Sequence, residues 1–86
     1  MRNKLLRIAL AQINPTVGDL SANRDKIIDY INQAIAFESD LVVFPELALT
    51  GYPPEDLLLR KNFVEDNLKE LNKITRSAKN IAVVLG

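Results

Sequence analysis

A chain of 86 residues with 11 Lys plus Arg and 11 Asp plus Glu has no net charge, so it lacks the basic excess that attracts nucleic acid or an anionic membrane surface. It contains neither Cys nor His. That excludes disulfides, thiolate metal sites, histidine relays and Ser-His or Cys-His catalytic pairs built from this chain alone. At 48% apolar and 26% charged residues the composition is that of a folded soluble domain rather than a disordered segment, although one domain of this size buries only a modest part of its surface.

The start, Met1-Arg2-Asn3-Lys4, is basic, but Arg7 interrupts the apolar run behind it and no small-residue cleavage site follows. A secretory signal is therefore not expected, no apolar run is long enough to span a bilayer, and the cytoplasm is the expected location. Leu5 to Ile13 reads as a first strand, apolar except for Arg7 and Gln12. Such a nearly continuous run is typical of a parallel strand buried on both faces. Gln12 falls at its carboxyl end, where it could bond a ligand or simply be a satisfied amide at the edge of the core. Asn14 to Asp19 is a loop by its turn residues. Gly18 has no second glycine and no Lys-Ser/Thr behind it, so no phosphate loop is present.

Asp19 or Ser21 can cap a helix running from about Ser21 to Phe37. Ile27, Ile28, Ile31, Ala34 and Ile35 fall on one face of it and predict packing against a sheet. Glu38-Ser39-Asp40 turns the chain into the central strand, Leu41 to Phe44. Pro45 has no N–H for a ladder and should stop that strand. Glu46 then lies at the strand's carboxyl end, where ligand chemistry collects in open α/β sheets. Phe44, Leu47 and Leu49 flank it, so part of its surroundings is expected to be apolar, a setting that suits a carboxylate to general-base work. A helix-entry or salt-bridge role is the competing reading of a single glutamate.

Gly51-Tyr52-Pro53-Pro54 redirects the chain. Pro54 suits a first helical position, and Glu55 and Asp56 complement the positive helix end. Arg60-Lys61-Asn62 should separate this short helix from a longer one opened by an Asn62–Glu65 capping box. The longer helix would bury Val64, Leu68, Leu71, Ile74 and Ala78, and leave Glu65, Asp66, Lys69, Glu70, Lys73 and Arg76 as a solvated face. Asn80 can take the left-handed conformation near the helix end, and Ile81 to Leu85 reads as a third buried strand. Strand, helix, strand, helix, strand makes two βαβ units, whose right-handed crossovers put both helices on one side of the sheet. Strands apolar on both faces need cover on both. These residues provide only one cover, so the chain reads as a piece of a larger fold.

Phe44-Pro45-Glu46-Leu47 and Leu49-Thr50-Gly51-Tyr52-Pro53-Pro54-Glu55-Asp56-Leu57-Leu58 resemble the glutamate segment of the carbon–nitrogen hydrolase (nitrilase) superfamily. Ile8 to Asp19 resembles that family's opening. Within the superfamily, the Thr50 to Leu58 continuation is similar to the amino-terminal glutaminase domain of glutamine-dependent NAD synthetases. The resemblance implies a β-α-β-α-β segment of a four-layer αββα sandwich, with residues 1–86 as the amino-terminal part of the glutaminase domain, and the rest of that domain and any synthetase domain outside the chain. It implies hydrolysis of the glutamine amide, with the ammonia used for ATP-dependent amidation of nicotinic acid adenine dinucleotide to NAD. The family's Glu, Lys and Cys divide the work. Of these only the glutamate maps, onto Glu46 as general base. Tyr52 matches a position expected near the glutamine pocket or an ammonia tunnel, and is equally readable as a turn-packing aromatic. No residue here stands for the Cys or the Lys, because Lys61, Lys69 and Lys73 fall on a predicted helix face. ATP and Mg are expected for a synthetase domain and no cofactor for this chain. Glutamine, the rest of the chain and further copies of a homo-oligomeric enzyme are the expected partners, with no nucleic acid and no membrane. Other readings are a segment of another nitrilase-type amidase, a non-catalytic α/β interaction module, or a small flavodoxin-like binding protein, against which the missing phosphate loop weighs.

Overall fold

The computed structural model describes residues 5–51 and 61–86. The elements are β1 (Ile8–Leu10), α1 (Leu20–Ala36), β2 (Leu41–Val43), α2 (Lys61–Ser77) and β3 (Ala82–Val84). The strands form one parallel sheet in the order β1-β2-β3. Ile8, Leu41 and Ala82 form one row, Ala9, Val42 and Val83 the next, and Leu10, Val43 and Val84 the third. Each strand is shorter than its apolar run. β2 begins only at Leu41, and its pairing with β1 starts where Arg7 O accepts from Asp40 N–H and Leu41 N–H. At the other end Ala11 N–H to Val43 O and Phe44 N–H to Val84 O are the last rungs. Pro45 has no donor with which to continue.

α1 begins as its cap dictates: the Asp19 carboxylate accepts from Ala22 N–H at 3.1 Å. It ends in a Schellman-type arrangement, with Glu38 left-handed at φ 58° and the Glu38 and Ser39 amides bonded to Ile35 O and Ala34 O. The core lies between one sheet face and the two helices. Val42 is enclosed together with Ile27, Ile31 and Ala34 of α1 and Phe63 and Ile74 of α2. The other sheet face is open: Ile8, Leu10 and Val84 are 49%, 73% and 50% exposed.

α2 departs from expectation. Ile74 is buried as the spacing predicts, but Val64, Leu68 and Leu71 are exposed, and Phe63 takes the buried place. A polar contact accompanies the rotation. Glu70, expected on the solvated face, is turned inward with a side chain only 13% exposed, and its carboxylate meets the Arg24 guanidinium of α1 at 2.6 Å and Lys73 Nζ at 3.5 Å. The hydrogen bonds to Asp25 and to Glu70 hold the Arg24 guanidinium above its already high ordinary pKa. Asn62 and Glu65 both stand inside the helix and do not form its start. Asn80 is left-handed as expected, at φ 60°. The short helix expected around Pro54, Glu55 and Asp56 lies outside the described residues, as does Tyr52. Among the described residues no helix is long and apolar enough to cross a membrane.

Candidate active site

Glu46 opens a turn at the carboxyl end of the central strand. The next residue, Leu47, is left-handed at φ 57°, a conformation that costs a non-glycine residue about 1–2 kcal/mol. Ala48, Leu49, Thr50 and Gly51 then sink into the core while Pro45 and Glu46 stay exposed. The expected apolar enclosure of Glu46 is therefore not supplied by its sequence neighbours, because Phe44 and Leu49 point into the core.

Buried turns must account for their backbone polar groups, and this one does so through three elements. Leu47 O accepts from Gly51 N–H at 2.8 Å. Thr50 O accepts from Gly18 N–H of the β1–α1 loop at 2.9 Å. Leu49 O accepts from Asn23 Nδ2 of α1 at 2.9 Å. Gly51, at φ 82°, touches the same loop: a Cβ there would stand 2.5 Å from Val17 Cα, so no side chain fits.

The Glu46 carboxylate has no hydrogen-bond or ion-pair partner among the described residues, and it starts no helix. The β3 exit runs past it, since a Cβ on Gly86 would lie 3.8 Å from Glu46 Cα. Beside this junction Leu47, Leu49, Thr50, Asn67, Leu71, Leu85 and Gly86 line a mostly apolar groove of about 310 Å³. The enclosed Asn67 Oδ1 has no hydrogen-bond partner among the described residues. A free carboxylate beside an apolar groove can take a proton from a group brought to it.

Residues 7–86 match the carbon-nitrogen hydrolase family. The chain belongs to that family. It is 49% identical over 82 residues to a glutamine-dependent NAD(+) synthetase of Thermotoga maritima, a match that covers 95% of this chain and 14% of the relative. Its fold superposes on the crystal structure of a glutamine-dependent NAD(+) synthetase from Cytophaga hutchinsonii with a TM-score of 0.86 at 33% identity, over 91% of this chain and 13% of the other. It also resembles an amidase from Nesterenkonia sp. AN1, with a TM-score of 0.77 at 28% identity over 94% and 32% of the two chains. That amidase structure is of a Glu-to-Gln mutant and shows Michael addition of acrylamide at the active-site cysteine. The chain thus spans about a seventh of the curated synthetase it matches and about a third of the amidase.

Against this family background, the geometry separates the sequence candidates. Glu46 is at the strand end as expected, whereas Gln12 is exposed on the exit of β1. Lys69 and Lys73 are on α2, Lys73 bridged to Glu70. Asn23 went unread in the sequence, and Leu47 and Gly51 were read only as a flanking residue and a turn residue, without the left-handed backbone of Leu47 or the packing of Gly51 on Val17. Asn23 had a signal: it falls four residues before Ile27 on the apolar face of α1, and a lone amide on such a stripe must be satisfied by something other than its own helix.

Proposed function

We propose that this chain is the amino-terminal part, residues 1–86, of the glutaminase domain of a glutamine-dependent NAD(+) synthetase, with Glu46 as its general base. The observation that carries the reading is the 49% identity to a synthetase over nearly the whole chain, in a fold that leaves Glu46 uncommitted at the carboxyl end of the central strand. Glu46 removes the proton of a cysteine thiol, which is a weak nucleophile until ionised. The thiolate attacks the carboxamide carbon of glutamine, and a lysine holds the tetrahedral oxyanion. Collapse of the tetrahedral intermediate expels ammonia, which takes up the proton held by Glu46, and leaves a thioester; water then hydrolyses the thioester to glutamate and frees the thiol. The ammonia passes to a synthetase domain for ATP-dependent amidation of nicotinic acid adenine dinucleotide. The cysteine, which this chain lacks, and the lysine come from residues outside it. A second sheet covers Ile8, Leu10 and Val84 to complete the four-layer sandwich, and Tyr52 stands near the glutamine pocket or tunnel. ATP and Mg belong to the synthetase domain in this reading. The enzyme is cytoplasmic and homo-oligomeric in this reading.

In the full-length enzyme, Glu46→Gln should lower glutamine-dependent NAD formation by about 10²–10⁴ while ammonia-dependent formation persists, because free ammonia bypasses the hydrolysis. Equal loss of both activities, or retention of the glutamine-dependent one, would refute Glu46 as the base. The isolated 86-residue chain should release no ammonia from glutamine above an uncatalysed control. The second reading, a nitrilase-type amidase, is favoured by the Nesterenkonia neighbour, and predicts amide hydrolysis with no ammonia-dependent NAD formation at all.

A further inference from the structure

We infer that Asn23 is a positioning residue that splints the Glu46 turn to α1 and to the β1–α1 loop. The inference rests on the reading of Glu46 as the base. The Asn23 side chain is fully buried, and its carboxamide is spent entirely on main chain outside its own helix. Oδ1 accepts from Thr16 N–H at 2.8 Å, and Nδ2 donates to Thr16 O at 2.7 Å and to Leu49 O at 2.9 Å. A buried amide is costly unless satisfied, and an aliphatic side chain would suit the Ile27–Ile31 stripe better. What the amide provides is a link between two segments that share no strand ladder. The Gly18 to Thr50 bond and the Gly51–Val17 approach close the same junction from the loop side.

The splint acts on Glu46 through the turn. Leu47 is held left-handed immediately after Glu46. Such conformations persist only where their surroundings over-determine them. Releasing Leu49 O removes one of the three hydrogen bonds fixing the turn, and the chain can then relax towards ordinary Leu47 angles. That relaxation changes the direction in which the turn presents Glu46. Proton transfer demands placement within a fraction of an ångström, and a 1 Å error can cost about 10²-fold.

The test uses the full-length enzyme with Asn23→Leu, which removes all three bonds while keeping a side chain branched at Cγ, and Asn23→Ala as the second variant should the first fail to fold. Rates are taken per folded enzyme for glutamine and for free ammonia as nitrogen donor, with kcat and KM separated. Amide hydrogen exchange is followed over residues 14–19 and 47–51. Ile31→Val, which loosens the same helix without touching the turn, is the control. The expected result is a fall of about 10- to 100-fold in glutamine-dependent kcat, an ammonia-dependent rate within about twofold, and faster exchange confined to the two segments. Parallel loss of both activities, or unchanged glutamine-dependent kcat, overturns the inference. Glu46→Gln is measured alongside. If it leaves the glutamine-dependent rate intact, the base assignment itself has failed; if it abolishes that rate while the Asn23 variants keep theirs, only the positioning role has failed.

Discussion

Ala9, Val42 and Val83 lie under two helices, whereas Ile8, Leu10 and Val84, one residue away on the same strands, face outward. The residue types are alike on the two faces and the environments are opposite. An amphipathic strand would have alternated apolar with polar. These strands do not, so their composition already carries a demand for a second cover. The difference teaches that strand composition reports on the complete fold, while exposure reports only on the part of it in hand.

The contrast can be broken or sharpened by substitution in the 86-residue chain, measured by urea unfolding. On the covered face, Ile31→Ala should cost about 2–5 kcal/mol, enough to unfold so small a domain, and a small shift in midpoint would mean that the helices pack loosely. At the junction, Gly51→Ala should cost at least about 1–2 kcal/mol from its left-handed backbone alone, with the approach to Val17 adding to it. An unchanged midpoint there would place the β1–α1 loop farther from the turn than described. At the start of α1, Asp19→Ala should cost about 1 kcal/mol by loss of the cap, read as a parallel shift of the curve. On the open face, Leu10→Ser should change stability by no more than about 0.5 kcal/mol, yet reduce hydrophobic-dye binding and self-association in ultracentrifugation. If the unsubstituted chain is a dye-silent monomer, the open face is already satisfied and the contrast collapses.

The β-α-β-α-β order, the shared side for both helices and the uncovered face were legible because apolar runs, helical spacing and connection handedness are local signals. So was the place of Glu46, which Pro45 fixes by ending a strand. The buried face of α2 was not legible. Val64, Leu68 and Leu71 make as good an apolar stripe as Phe63 and Ile74, and the rotation observed goes with contacts to another element, among them the Arg24–Glu70 pair, 46 residues apart. The role of Asn23 escaped for the same reason, since both of its partner segments lie outside its own helix. Helical periodicity describes one element at a time, and these two residues are explained only by what another element brings to them.

The hydrogen bonds that brace the Glu46 turn all join residues between Thr16 and Gly51. They belong to the first βαβ unit and need neither α2 nor β3. Chains are synthesised from the amino terminus at about 5–20 residues per second, so this backbone junction can close on the ribosome seconds before the later parts of the sheet exist. Glu46 would then be set into a preformed backbone socket, and the remaining elements would assemble around a turn whose path had already been fixed.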